Sequence, residues 1–101
     1  MRGTLITIAG SALLLAPPAV AQPSGPTGQA MAQTCYVCHG PAGRSAPPIP
    51  TIARVPADIL RIRMMEFKTE QRPSTIMARI AKGYSDEQID QLAAWFASQK
   101  R

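Results

Sequence analysis

An all-α fold is what this sequence predicts, and three observations predict it. Ser85 and Gln88 stand at capping-box spacing, with Asp86 and Glu87 near the positive end of the helix they would open. Ile89, Leu92, Ala93 and Phe96 follow at i, i+3, i+4 and i+7, an apolar stripe on one helical face. No segment shows the period-two alternation of a half-buried strand, and no internal repeat is present.

The other elements follow in order. A first helix is expected from about Gly28 to Cys38, through Ala30, Met31, Gln33 and Thr34, and Gly40, Pro41 and Gly43 end it. Pro41, Pro47, Pro48, Pro50 and Pro56 make residues 41–56 an extended, irregular loop. Pro56 and Asp58 look like a helix start, and Ile59, Leu60, Ile62, Met64, Met65 and Phe67 give that helix an apolar side. Pro73 interrupts. Ser74 or Thr75 is available to cap a short helical turn from Ile76 to Ala81, which Gly83 stops.

Residues 1–21 read differently from the rest. Arg2, the uncharged and mostly apolar run Leu5–Leu15, the Pro17-Pro18 break and Ala19-Val20-Ala21 form a secretory signal with cleavage after Ala21. The run is too short to span a bilayer, so no stable membrane insertion is expected once the signal is removed. This leaves residues 22–101 as one small exported domain, with Gln22–Thr27 a loose start. A domain of that size is marginal without a staple. A disulfide between the two cysteines, three positions apart, would close a trivial loop and add little. Aromatic residues are few (Tyr36, Phe67, Tyr84, Trp95 and Phe96), so a large apolar cofactor is the natural filling.

Cys35-Tyr36-Val37-Cys38-His39 is the C-x-x-C-H pattern of covalent c-type haem attachment. Two thiols one helical turn apart can each add to a vinyl group on the same porphyrin edge. The adjacent His39 then supplies the proximal ligand. The motif uses every Cys and His in the chain. A zinc site wants a second Cys/His pair, which does not exist. A thiol–disulfide oxidoreductase would carry its C-x-x-C after a strand, in a mixed α/β setting.

Methionine is the usual sixth ligand where the task is electron transfer. Met31 lies on the presumed first helix, on the wrong side of the haem plane, and Met64 and Met65 fit a core. Met77, beyond the Pro73 break, is the expected ligand from the opposite face. The formal charge of +5 is dispersed and not interleaved with aromatics, which disfavours nucleic-acid binding; a basic surface for an acidic partner remains open.

On these residues the chain resembles the class I cytochromes c. The resemblance implies N- and C-terminal helices packed across each other around one covalent haem. It also implies His39 and Met77 as axial ligands, and a loop proline, Pro47, whose carbonyl accepts the His39 hydrogen bond. The run Arg72-Pro73-Ser74-Thr75-Ile76-Met77-Ala78-Arg79-Ile80-Ala81-Lys82-Gly83-Tyr84-Ser85-Asp86-Glu87, with Pro50-Thr51-Ile52-Ala53, resembles the cytochrome subunit of flavocytochrome c sulfide dehydrogenase. It resembles two-haem relatives more distantly, and the single C-x-x-C-H excludes a second haem here. The implied role is periplasmic electron transfer without catalysis. Electrons would come from a flavoprotein sulfide dehydrogenase subunit and go to another cytochrome or an oxidase. A diffusible shuttle with no permanent flavoprotein is the alternative, and Arg72, Arg79 and Lys82 are candidate docking groups.

Overall fold

A computed structural model describes residues 3–20 and 25–100. Arg2 and the expected cleavage point after Ala21 lie outside these described residues. Residues 3–20 form no helix or strand and are exposed throughout; Leu5 and Leu14 present 95% and 94% of their surface. Four α-helices follow: α1 (Gly28–His39), α2 (Ala57–Lys68), α3 (Met77–Lys82) and α4 (Asp86–Ala97), with a 3₁₀ turn at Pro41–Gly43. No strand is present among the described residues, so the fold is all-α as the patterning predicts. No described helix is long and apolar enough to cross a membrane.

Each helix end has a local cause. Thr27 caps α1, its hydroxyl accepting from the Ala30 N–H at 3.2 Å. Gly40 ends it at φ 79°, its N–H donating to the Tyr36 carbonyl; a side chain there would collide with the Arg44 carbonyl. Between Ser74 and Thr75, the structure selects Ser74: its Oγ accepts from the Ala78 N–H at 3.0 Å. Gly83 stops α3 in ordinary right-handed backbone at φ −77°, so the stop does not use left-handed freedom. The capping box of α4 is complete, with Ser85 N–H to Gln88 Oε1 at 2.9 Å and Gln88 N–H to Ser85 Oγ at 3.1 Å.

α1 crosses α4, and α4 packs in turn on α2, which carries α3. The apolar stripe of α4, Ile89, Leu92, Ala93 and Phe96, is buried in full. Leu92, Ala93 and Phe96 meet Met31 and Ala32 of α1 and Leu60 of α2 in one core cluster, edged by Cys35, Tyr36, Ile52, Val55, Tyr84 and Trp95. The crossing needs Gly28, because a Cβ there would sit 2.5 Å from the Gln91 backbone oxygen. Arg54 stands at φ 63°, a left-handed conformation that costs a non-glycine residue about 1 kcal/mol.

Ion pairs tie the second half of the chain. Lys68 reaches both the Tyr84 carbonyl (2.7 Å) and Asp86 (2.9 Å), joining α2 to the start of α4. Arg61 pairs with Asp90, Arg72 with Glu66, and Lys82 with Glu70. The hydrogen bond from Lys68, and then its charge, hold the Asp86 carboxyl below its ordinary value of 3.8.

Gly28→Ala is expected to destabilise the holoprotein by about 1–2 kcal/mol in guanidinium denaturation, the clash outweighing the helical preference of alanine. The depressed Asp86 carboxyl is worth stability above its unfolded value, and that stability is lost as pH falls through the lower folded value. The difference in urea midpoint between the protein and Asp86→Asn should therefore hold steady above about pH 5 and close as the medium is acidified past that range.

Candidate haem site

The last turn of α1 carries the whole donor set: Cys35, Cys38 and, as the final helical residue, His39. Helical spacing sends the two thiols to the same side. Cys35 is half-buried against the core cluster, Cys38 is exposed, and Val37 between them presents 86% of its surface. Both thiols are free. Burial pushes the Cys35 thiol above its ordinary value, helped by the neighbouring Cys38 and only partly offset by hydrogen bonds from Thr34 and the backbone.

His39 Nδ1 lies 2.8 Å from the Pro50 carbonyl oxygen. A carbonyl offers only lone pairs, so Nδ1 carries the proton and donates, leaving Nε2 as the lone-pair nitrogen. Nε2 makes no hydrogen bond among the described residues. This corrects one expectation. The carbonyl that orients the ring belongs to Pro50, three residues beyond Pro47, because the loop is folded back by its own polar groups. Thr51 Oγ1 donates to the Ser45 carbonyl (2.7 Å) and accepts from the Ser45 N–H (3.0 Å), while Ser45 Oγ donates to Ile49 (2.8 Å). That clamp turns the Pro50 carbonyl toward the ring. The sequence offered a trace of it in Pro50-Thr51-Ile52-Ala53, but a backbone acceptor leaves no side-chain signature.

Two further contacts flank Cys35 and were not read from the sequence. Thr34 Oγ1 and Tyr84 Oη are 3.2 Å apart, and Trp95 Nε1 donates to Tyr36 Oη at 3.0 Å. The Tyr36 ring also meets Phe96 edge-on, centroids 6.1 Å apart. The residues on either side of the first thiol are thus tied to the α3–α4 turn and to α4. Aromatic residues spaced 50 and 59 positions from their partners give no local pattern to find.

Of the methionines, Met31 is 7% exposed and locked in the core. Met77 opens α3 half-buried, and Met64 and Met65 are half-buried on α2. Beside them Ile62 and Ile76 present 53% and 55% of their surface. Two thiols at one helical turn, an imidazole with a free Nε2, soft thioethers and apolar flanks are a donor set that fits haem c. It does not fit zinc, since no cluster of three His, Cys, Asp or Glu forms among the described residues. Nor does it fit thiol exchange, for the thiols lie at the end of a helix in an all-α chain and Cys35 is shifted away from thiolate.

Helices packed in this way around a C-x-x-C-H turn define a c-type haem protein. The chain belongs to the cytochrome c family, whose model, described as "Cytochrome c", matches residues 26–100. It is therefore an electron-transfer protein and not itself an enzyme. It is 35% identical over 83 residues to the cytochrome subunit of sulfide dehydrogenase of Chlorobaculum tepidum, covering 82% of this chain and 76% of that one. Over 74 residues it is 38% identical to cytochrome c4 of Pseudomonas aeruginosa, covering 72% of this chain and 37% of that one. With cytochrome c-554(548) of Halomonas halodenitrificans it shares 34% over 71 residues, covering 66% of this chain and 86% of that one. The chain spans less than half the length of the cytochromes c4 it matches.

Because Pro50 supplies the acceptor, Pro47→Ala is expected to leave the His39 ring in place. Proton NMR of the reduced protein should retain a slowly exchanging His39 Nδ1–H in that variant, and its loss would return the role to Pro47.

Proposed function

We propose that this chain is a periplasmic carrier of one haem c that takes single electrons from a flavoprotein sulfide dehydrogenase subunit and yields them to another cytochrome or an oxidase. The observation that carries this reading is the C-x-x-C-H turn ending α1 with its imidazole fixed on the Pro50 carbonyl. The 82% coverage by the sulfide dehydrogenase cytochrome subunit supports the choice of donor. Export rests on residues 1–21 as a signal cleaved after Ala21.

In this reading Cys35 and Cys38 hold the group through two thioethers, which a small fold needs because its packing alone retains haem poorly. His39 presents Nε2 to the iron, and the Pro50 bond fixes its tautomer and raises its basicity. Met77 is the sixth ligand: Met31 is committed to the core, and the Pro73 break sets Met77 at the start of α3 next to the exposed Ile76. Haem c bound there supplies reversible one-electron chemistry. With His39 and Met77 both holding the group, the chain would leave it no open position for substrate, and sulfide oxidation would belong to the flavoprotein.

A second reading, a diffusible shuttle without a permanent flavoprotein, is favoured by the match that covers 86% of cytochrome c-554(548). Gel filtration at native concentration separates the two: co-elution with a flavoprotein supports the subunit, and a lone small species supports the shuttle.

The ligand assignment is tested by visible spectra of the exported protein, oxidised and then dithionite-reduced. Sharp reduced c-type bands are expected, with a weak methionine–iron band in the oxidised form that Met77→Ala abolishes while lowering the potential. An unchanged band in Met77→Ala would move the role to Met64 or Met65. A high-spin wild-type spectrum would overturn the carrier reading.

A further inference from the structure

Resting on the Met77 assignment proposed above, the structure points to what holds that ligand's arm in place. α3, which Met77 opens, is six residues long and packs on α2, and its buried side chain is Ala81. A helix that short is not stable alone in water, so its position depends on what ties it. Both thiols and His39 lie on α1. A tie from α1 to α3 therefore decides how the two halves of the site stand to each other.

Tyr84 makes that tie. It follows Gly83 at the end of α3, and its N–H donates to the Ala81 carbonyl at 3.2 Å. Its side chain reaches α1, where Oη lies 3.2 Å from Oγ1 of Thr34, the residue before Cys35. Donor and acceptor follow from the neighbours. Thr34 Oγ1 donates its single proton to the Met31 carbonyl at 2.8 Å, so it offers Tyr84 a lone pair and Tyr84 donates. Lys68 holds the same residue from α2, its Nζ donating to the Tyr84 carbonyl at 2.7 Å. Among the described residues no other hydrogen bond joins α1 to α3 or to the turn that follows it.

We propose that Tyr84 is a positioning residue for the sixth ligand: by clasping Thr34 it sets α3 against the haem-bearing helix and so keeps Met77 on the iron. The clasp is close to both ends of the site. Thr34 adjoins Cys35, and one six-residue helix separates Tyr84 from the residue before Met77. Thr34 is exposed and Tyr84 half-buried, so the bond contributes modestly. That suffices to bias a local opening of the methionine arm, which is the low-stability part of such a fold, without deciding whether the chain folds.

Imidazole is the probe, titrated into the oxidised haem-loaded protein, because it takes the sixth position only when the methionine arm leaves. Tyr84→Phe removes the clasp and keeps the ring; Thr34→Val removes its acceptor. Each should lower the imidazole Kd about threefold, the weight of one partly exposed hydrogen bond. Their combination should do no more than either alone, since both cut the same bond. Arg61→Gln breaks a tie to Asp90 between α2 and α4, also at the surface, and should leave the imidazole Kd unchanged. A wild-type Kd in Tyr84→Phe, or an equal fall in Arg61→Gln, would overturn the proposal and make the contact a general support of the fold. The oxidised spectrum keeps the two readings apart. A methionine–iron band that is missing, or that survives Met77→Ala, strikes the Met77 assignment itself. A band that depends on Met77, with an imidazole Kd indifferent to Tyr84, strikes the clasp alone.

Discussion

The close crossing of α1 over α4 is the constraint on which the remaining structure depends. Gly28 lets the helix backbones approach, and that approach brings Met31 and Ala32 onto Leu92, Ala93 and Phe96. Every group of the C-x-x-C-H turn is then placed by what lies further along the same helix. Tyr36 meets Phe96 and Trp95, Cys35 meets the edge of the cluster, and His39 falls at the helix end where the loop can return to it. The chemistry-bearing turn is therefore a direct extension of the core. A change at the crossing would be felt at the ring without touching it.

Such a core is small. Its buried members are Met31 and Ala32 of α1, Leu60 of α2, Ala81 of α3 and the four stripe residues of α4, and apolar residues on α2 and at the start of α3 stay half-exposed. A chain of this size cannot stabilise itself by area alone, which gives the covalent motif its physical sense. Thioether attachment places the largest apolar group of the fold where the residues themselves are too few. The polar ties of Thr34 to Tyr84 and of Tyr36 to Trp95 anchor the first thiol on both sides, so that the attached edge moves with the helices.

The features legible in the sequence are those whose physics is local. The α4 stripe and its capping box lie within a dozen residues, and both are found as read. The C-x-x-C-H spacing is local too. The Ser74 cap was legible as one of two choices, since a hydroxyl near a helix start has few acceptor roles. Long-range pairings were not legible. The Gly28 contact with Gln91 is invisible because glycine at a helix start has many causes. Pro50 was passed over for Pro47 because a loop with prolines at 41, 47, 48, 50 and 56 offers several carbonyls, and only the Ser45–Thr51 clamp selects among them.

That selection has an electronic consequence. The acceptor for His39 Nδ1–H is a neutral backbone carbonyl and not a carboxylate. A carboxylate would draw the proton toward itself and give the imidazole more anionic character, which favours the higher iron charge. A neutral acceptor orients the ring without that bias, and the proposed Met77 thioether would favour the lower charge in the same sense. The two effects would act together to raise the potential, which suits a site that accepts electrons.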